Sequence, residues 1–87
     1  MKKLSSINEV SKKELLTGDG DCGSDGLLVI SGSKTLLFDF DYAGGYSYSV
    51  KIFDSSQWAE KGIFANIMAQ FESKRVNEVK KFAKNNI

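Results

Sequence analysis

The chain has no histidine and only one cysteine, Cys22. These two shortages exclude an internal disulfide framework, Cys/His zinc ligand sets, and a serine or thiol nucleophile activated by an imidazole. No apolar run approaches the ~18 residues a membrane helix needs, and Met1 to Leu4 leads straight into polar sequence. Neither a membrane span nor a signal peptide is therefore expected, and a cytoplasmic location follows as the default. No phosphate loop is present either. With no metal set and no catalytic group in view, the chain is expected to be non-enzymatic and to carry no cofactor.

What the chain does hold is the material of a small globule. A hydrophobic fraction of 41%, with 11% aromatics, separates it from disordered sequences. At 87 residues it is expected to form one domain, 1–87. A chain of this size buries roughly 60 to 65% of its unfolded surface.

The stretch from Leu27 to Phe53, LLVISGSKTLLFDFDYAGGYSYSVKIF, reads as three short strands joined by two glycine turns. Gly32 and Ser33 suit a two-residue II′ turn, which sets Ser31 opposite Lys34, Val29 opposite Leu36 and Leu27 opposite Phe38. A two-residue loop at Gly44 and Gly45 would set Phe40 against Ser49 and waste the aromatics. A three-residue loop, Ala43 to Gly45 with Gly45 left-handed, instead sets Tyr42 opposite Tyr46, Phe40 opposite Tyr48, Phe38 opposite Val50 and Leu36 opposite Ile52.

One face then carries Leu27, Val29, Leu36, Phe38, Phe40, Tyr48, Val50 and Ile52, a core face that needs cover. The other is mixed: Leu28, Ile30, Leu37 and Phe53 want partial cover, while Asp39 and Asp41 mark a wet acidic end.

The flanks read as that cover. Ser6 to Leu16 opens with a capping-box pattern, Ser6 capping and Glu9 reaching back to its amide, and continues as a short helix with a narrow apolar stripe, which implies weak docking. Asp54, with Gln57 three residues on, starts a second helix over residues 55–61. Trp58 on it is expected as a core anchor in preference to a stacking platform. Past Gly62, a long helix from Ile63 to about Asn85 is expected, its first half (Phe64, Ile67, Met68, Phe71) packing on the Phe38 and Phe40 face. The expected fold is α+β, order αβββα(α): a three-stranded antiparallel meander with a short N-terminal helix and a long C-terminal helical region.

Residues 17–26, TGDGDCGSDG, suit only a loop. Asp19, Asp21 and Asp25 resemble a calcium loop for two ligand positions, but Gly23, Ser24 and Ile30 stand where later ligands and the glycine belong. Solvated turn chemistry is the preferred reading, and an ion there stays open. Cys22 lies among these aspartates, which disfavour its thiolate.

The formal net charge of +1 is unevenly placed. Both ends are basic and the middle is acidic, with six aspartates against Lys34 and Lys51. This pattern fits either internal complementarity between sheet and helices or a carboxylate surface offered to a basic partner. Asp39 and Asp41, two apart on one strand, point to the same side. The expected register gives them Ser49 and Ser47 as neighbours and no third carboxylate, so contact with a partner is favoured over acid–base work. Tyr42, Tyr46 and Tyr48 gather at the second turn, where large rigid side chains make good contact residues. Lys74, Arg75, Lys80, Lys81 and Lys84 are the alternative, a nucleic-acid site, although cations also complement a helix C-terminus. Leu28, Ile30, Leu37 and Phe53 are a further candidate, as a homodimer face.

The order helix, three-strand meander, helix is shared by double-stranded RNA-binding domains. Those carry their lysine cluster at the start of the last helix, whereas KKFAK, residues 80–84, stands at its end. The layout resembles small phage-encoded anti-CRISPR proteins, and KIFDSSQWAE, residues 51–60, looks like the strand end, capped turn and helix start of members of that class. The resemblance implies a protein-binding inhibitor of a CRISPR effector complex acting in the host cytoplasm, with Asp39, Asp41, Tyr42, Tyr46 and Tyr48 blocking a basic groove. The chain departs from the strongly acidic DNA mimics of the class, which places such contact in a local patch.

Overall fold

A computed structural model describes residues 2–16, 26–41, 45 and 47–87. Strand β1 (Lys2–Leu4) is followed by a 3-10 turn (Ile7–Glu9) and helix α1 (Lys12–Leu16). Strands β2 (Leu27–Ser31), β3 (Lys34–Asp41) and β4 (Ser47–Asp54) come next, then α2 (Ser55–Lys61), a 3-10 turn (Gly62–Phe64), β5 (Ile67–Ser73) and α3 (Val76–Asn85). The strands form one five-stranded sheet in the order β1-β2-β3-β4-β5, parallel only between β1 and β2. The fold is α+β, but the sheet is mixed and two strands wider than the expected meander.

The central register agrees with the sequence reading. Leu27 pairs with Phe38, Val29 with Leu36, and Ser31 with Lys34. Phe40 pairs with Tyr48, Phe38 with Val50, and Leu36 with Ile52. Gly32 has a φ of 58°, and no non-glycine described residue has a positive φ, as a II′ turn with glycine first requires. Gly45 has a φ of 120°. The Tyr42–Tyr46 pair, the three aspartates of the glycine-rich loop and Cys22 lie outside the described residues.

All eight residues of the expected core face are buried. Their cover differs from expectation. The segment expected as one long helix is divided into the turn Gly62–Phe64, edge strand β5 and α3, so Phe64, Ile67 and Met68 are exposed instead of packed on Phe38 and Phe40. The cover is α3, through Val76, Val79, Phe82 and Ala83, together with Ile7, Val10 and Leu15. Residues 67–73 contain good helix formers, but β4 presents an open row of backbone donors and acceptors. Satisfying them along a whole strand outweighs a local preference of a few tenths of a kcal/mol per residue, on the order of helix-propensity differences. Alternation in β5 then puts Ala69 and Phe71 on the core side, opposite Ile52 and Val50.

The expected N-terminal helix is likewise divided. Ser6 caps the first turn by accepting from the Asn8 amide, but Glu9 accepts from the Ser5 hydroxyl instead of its expected partner. Ser11 accepts from the Glu14 amide and starts α1. Val10 and Leu15 are wholly buried, so the docking expected to be weak is complete.

On the other face, α2 begins where expected, with Asp54 accepting from the Ser56 amide. The Ser55 hydroxyl donates to the Gly32 carbonyl and meets the buried Thr35 hydroxyl at 2.9 Å, and the Ser55 amide donates to the Ser33 carbonyl. These bonds tie α2 to the β2–β3 turn. Trp58 packs on Phe53, with ring centroids 4.9 Å apart, over a second cluster of Leu28, Leu37, Phe53 and Ala65. The proposed homodimer face is therefore covered within the chain, except for Ile30.

Candidate partner-binding site

Helix α2 has only seven residues and covers only part of the sheet face it packs on. Beyond Leu37 the alternation continues through Asp39 and Asp41 on β3, Ser47 and Ser49 on β4, and Gln70 and Glu72 on β5. These residues, with Lys51, line an open trough of about 610 Å³ across three strands.

Its rows follow from the register. Leu37, Lys51 and Gln70 form one; Asp39, Ser49 and Glu72 form the next; Asp41 and Ser47 close the end. Ser49 thus stands between two carboxylates held on strands about 10 Å apart, twice the usual strand spacing. The sequence reading found no third carboxylate for this group. Glu72 was missed because it arrives on β5, the strand read as helix.

Asp39 is half-buried and Asp41 exposed. Burial raises the pKa of Asp39 above the usual carboxylate value, and the Lys51 ammonium, diagonal to it across β3 and β4, partly opposes the shift. The trough therefore contains a carboxylate already partly stripped of water, whose burial the Lys51 ammonium offsets only in part. Among the described residues, no group of three or more His, Cys, Asp or Glu side chains is placed to hold a metal ion.

The expected partner-contact residues do not all converge. Asp39 and Asp41 share the trough, but Tyr48 is buried on the opposite face, tilted against Phe40 with ring centroids 5.4 Å apart. Strand alternation dictates this separation: Tyr48 shares its parity with Val50 and Ile52, and Ser47 and Ser49 take the trough side. Tyr42 and Tyr46 fall outside the described residues.

The basic candidates are also divided. Lys80, Lys81 and Lys84 lie on α3, whereas Lys74 and Arg75 occupy the turn between β5 and α3 and are not on a helix. That turn is set by Ser73, whose hydroxyl accepts from the Arg75 amide and donates to the Glu78 carboxylate. Lys74 and Arg75 line a cleft of about 420 Å³ with Lys12, Asn77, Glu78 and the edge of Tyr48. Because Tyr48 pairs with Ser73, this cleft stands at the same end of the sheet as the trough, on the opposite face.

Among the described residues no helix is long and apolar enough to cross a membrane. No protein-family model, curated protein or solved structure matches the chain.

Proposed function

We propose that the protein is a non-enzymatic protein-binding inhibitor of the anti-CRISPR kind, which sets its carboxylate trough against a basic groove of a host nuclease complex. The observation that carries this reading is the row Asp39–Ser49–Glu72, with Asp41 beside it, lining an open trough among the described residues on the part of the sheet face beyond α2. RNA-guided nucleases hold their heteroduplex in a positively charged channel, and a rigid sheet bearing carboxylates at fixed spacing is complementary to such a surface. Because the acidic side chains project from strands, the backbone that carries them needs no further ordering on docking.

The test is DNA cleavage by a panel of reconstituted RNA-guided nuclease complexes, titrated with the protein and with Asp41→Asn/Glu72→Gln. The wild-type chain should block cleavage by at least one complex, and the variant should need about tenfold more protein, the range of a lost interface hot spot. Equal inhibition by the variant removes the trough from the mechanism. Failure to inhibit any complex removes the nuclease partner.

A second reading, a nucleic-acid-binding module, is favoured by the cleft that brings Lys12 to Lys74 and Arg75, with Lys80, Lys81 and Lys84 further along α3. It requires a gel shift with duplex RNA or DNA that weakens steeply as salt rises. A chain that shifts neither duplex at low salt does not bind in this way.

A further inference from the structure

We propose that β5 receives an extended segment of the partner protein as a sixth, antiparallel strand, carrying a Lys or Arg over Glu72 and an apolar residue over Ile67 and Met68. The proposal rests on reading the trough as a partner surface, and it names the part of the partner that would dock there. β5 is the last strand of the sheet, so alternate backbone N–H and C=O groups along Ile67–Ser73 have no partner strand among the described residues. Edge strands are guarded by proline, by charged side chains, by bulges or by a covering element. Ile67–Ser73 contains no proline or lysine, its one charge is Glu72, its bulge is confined to Met68 at the head of the strand, and α3 packs on its core side through Phe71 and Phe82.

The exposed apolar side chains concentrate at one end of this edge. Ile63 and Phe64 are 66% and 82% exposed, and Ile67 and Met68 follow at the start of β5. Met68 is an extra residue where the pairing with β4 shifts between Ile52 and Phe53, a bulge that re-aims side chains at the head of the strand. At the other end, Glu72 opens the trough. The edge is thus apolar where β5 begins and acidic where it ends.

That polarity selects the occupant. Two copies pairing β5 to β5 about Gln70 would set Met68 opposite Glu72 and Ile67 opposite Ser73, each apolar end meeting a polar one, so a second copy is a poor match. A foreign strand with the reverse pattern fits. The rows of β4 that face Ile67 and Glu72 are Phe53 and Ser49, four residues apart, so a regular added strand needs its two anchors at that same spacing. Running antiparallel to β5, it reads basic first and apolar four residues later. A lysine from the added strand reaches Glu72 directly, while Asp39 and Asp41 lie deeper and contribute through the field they add to the trough.

The probe is the capped peptide Thr-Lys-Val-Thr-Val-Phe-Thr, titrated into the isotope-labelled full chain and followed by amide chemical shifts and hydrogen exchange. Shifts and added protection concentrated on residues 67–73 are expected. Replacing the peptide's lysine with glutamate, or using Phe64→Ser/Met68→Ser protein, should weaken binding by about tenfold. Both protein substitutions are at exposed positions, and an unchanged urea midpoint shows that the fold is intact. No change at β5 up to millimolar peptide overturns the proposal, as does β5 protection that rises with protein concentration alone, which identifies a second copy. Peptide binding that ignores the Lys-to-Glu exchange, with Glu72→Gln also silent, overturns the acidic pairing and leaves simple strand addition, while the trough reading is decided separately by the nuclease assay. Loss of nuclease inhibition in Asp41→Asn/Glu72→Gln without any peptide binding leaves the trough and removes the sixth strand.

Discussion

Phe71 of β5 stacks on Phe82 of α3, the ring centroids 5.0 Å apart and the planes inclined by 17°. This contact joins the edge strand to the helix that closes the core, and it links two elements that the sequence reading had merged into one helix. Both rings are half-buried, so truncation of either should cost less than the full loss of a core aromatic. Phe71→Ala and Phe82→Ala are each expected to lower unfolding stability by about 2 kcal/mol in urea titrations. A double-mutant cycle should give a coupling of about 0.5–1.5 kcal/mol. Additive effects would show that the rings do not depend on each other.

Leu15 is wholly buried although its helix is only five residues long. So short a helix has no stability of its own, and Leu15 with Val10 and Ile7 pins it to the sheet. Leu15→Ala is expected to cost about 2–5 kcal/mol, the range for emptying a full leucine site. A loss under about 0.5 kcal/mol, as for an exposed position, would mean the N-terminal segment docks only loosely.

Gly26 has a φ of 97°, and a Cβ built there would lie 3.0 Å from Asp39 Oδ1, 3.1 Å from Leu37 Cδ1 and 3.2 Å from the Phe38 carbonyl oxygen. The close backbone atom cannot swing away as a side chain can. Gly26→Ala should therefore destabilise the fold by about 1–3 kcal/mol. The Asp39 carboxylate should also be displaced, visible as a changed titration of its side-chain resonance.

Asp39 and Asp54 should respond to pH in opposite senses. Burial raises the folded-state pKa of Asp39, so the stability linked to its protonation is fully present below the ordinary carboxylate value and is lost as pH rises through the raised folded value. Asp39→Asn escapes that loss, and its stability relative to wild type should be higher at about pH 7 than at about pH 3. Asp54 is held below its usual pKa, first by the Ser56 hydroxyl and then by the Ser56 amide. Its contribution is present above the ordinary value and lost as pH falls through the lowered one. Asp54→Ala should thus be less stable than wild type at neutral pH, with the gap closing in acid. Urea midpoints at several pH values measure both, and parallel curves for the two variants would contradict these assignments.

The pattern from Leu27 to Phe53 was legible because alternation and turn chemistry act locally. Gly32 fixes one hairpin, the Phe38–Val50 and Phe40–Tyr48 pairs fix the other, and a one-residue slip would turn every core side chain outward. The same alternation put Asp39 and Asp41 together on the side away from the core. It also placed Tyr48 on the core side, so grouping Tyr48 with the two aspartates conflicted with the register.

The amino-acid sequence alone determined the three central strands, the face each residue takes and the start of α2 at Asp54, since all of these rest on spacing within a few residues. Only the tertiary structure decided that residues 67–73 form a strand. Ile67, Met68 and Phe71 satisfy a helical repeat as well as a strand, and the choice was made by the open edge of β4, whose backbone groups need partners from a segment distant in the chain. That choice brought Glu72 beside Ser49, completed the trough, and left Phe64 and Met68 exposed beside the outer strand of the sheet.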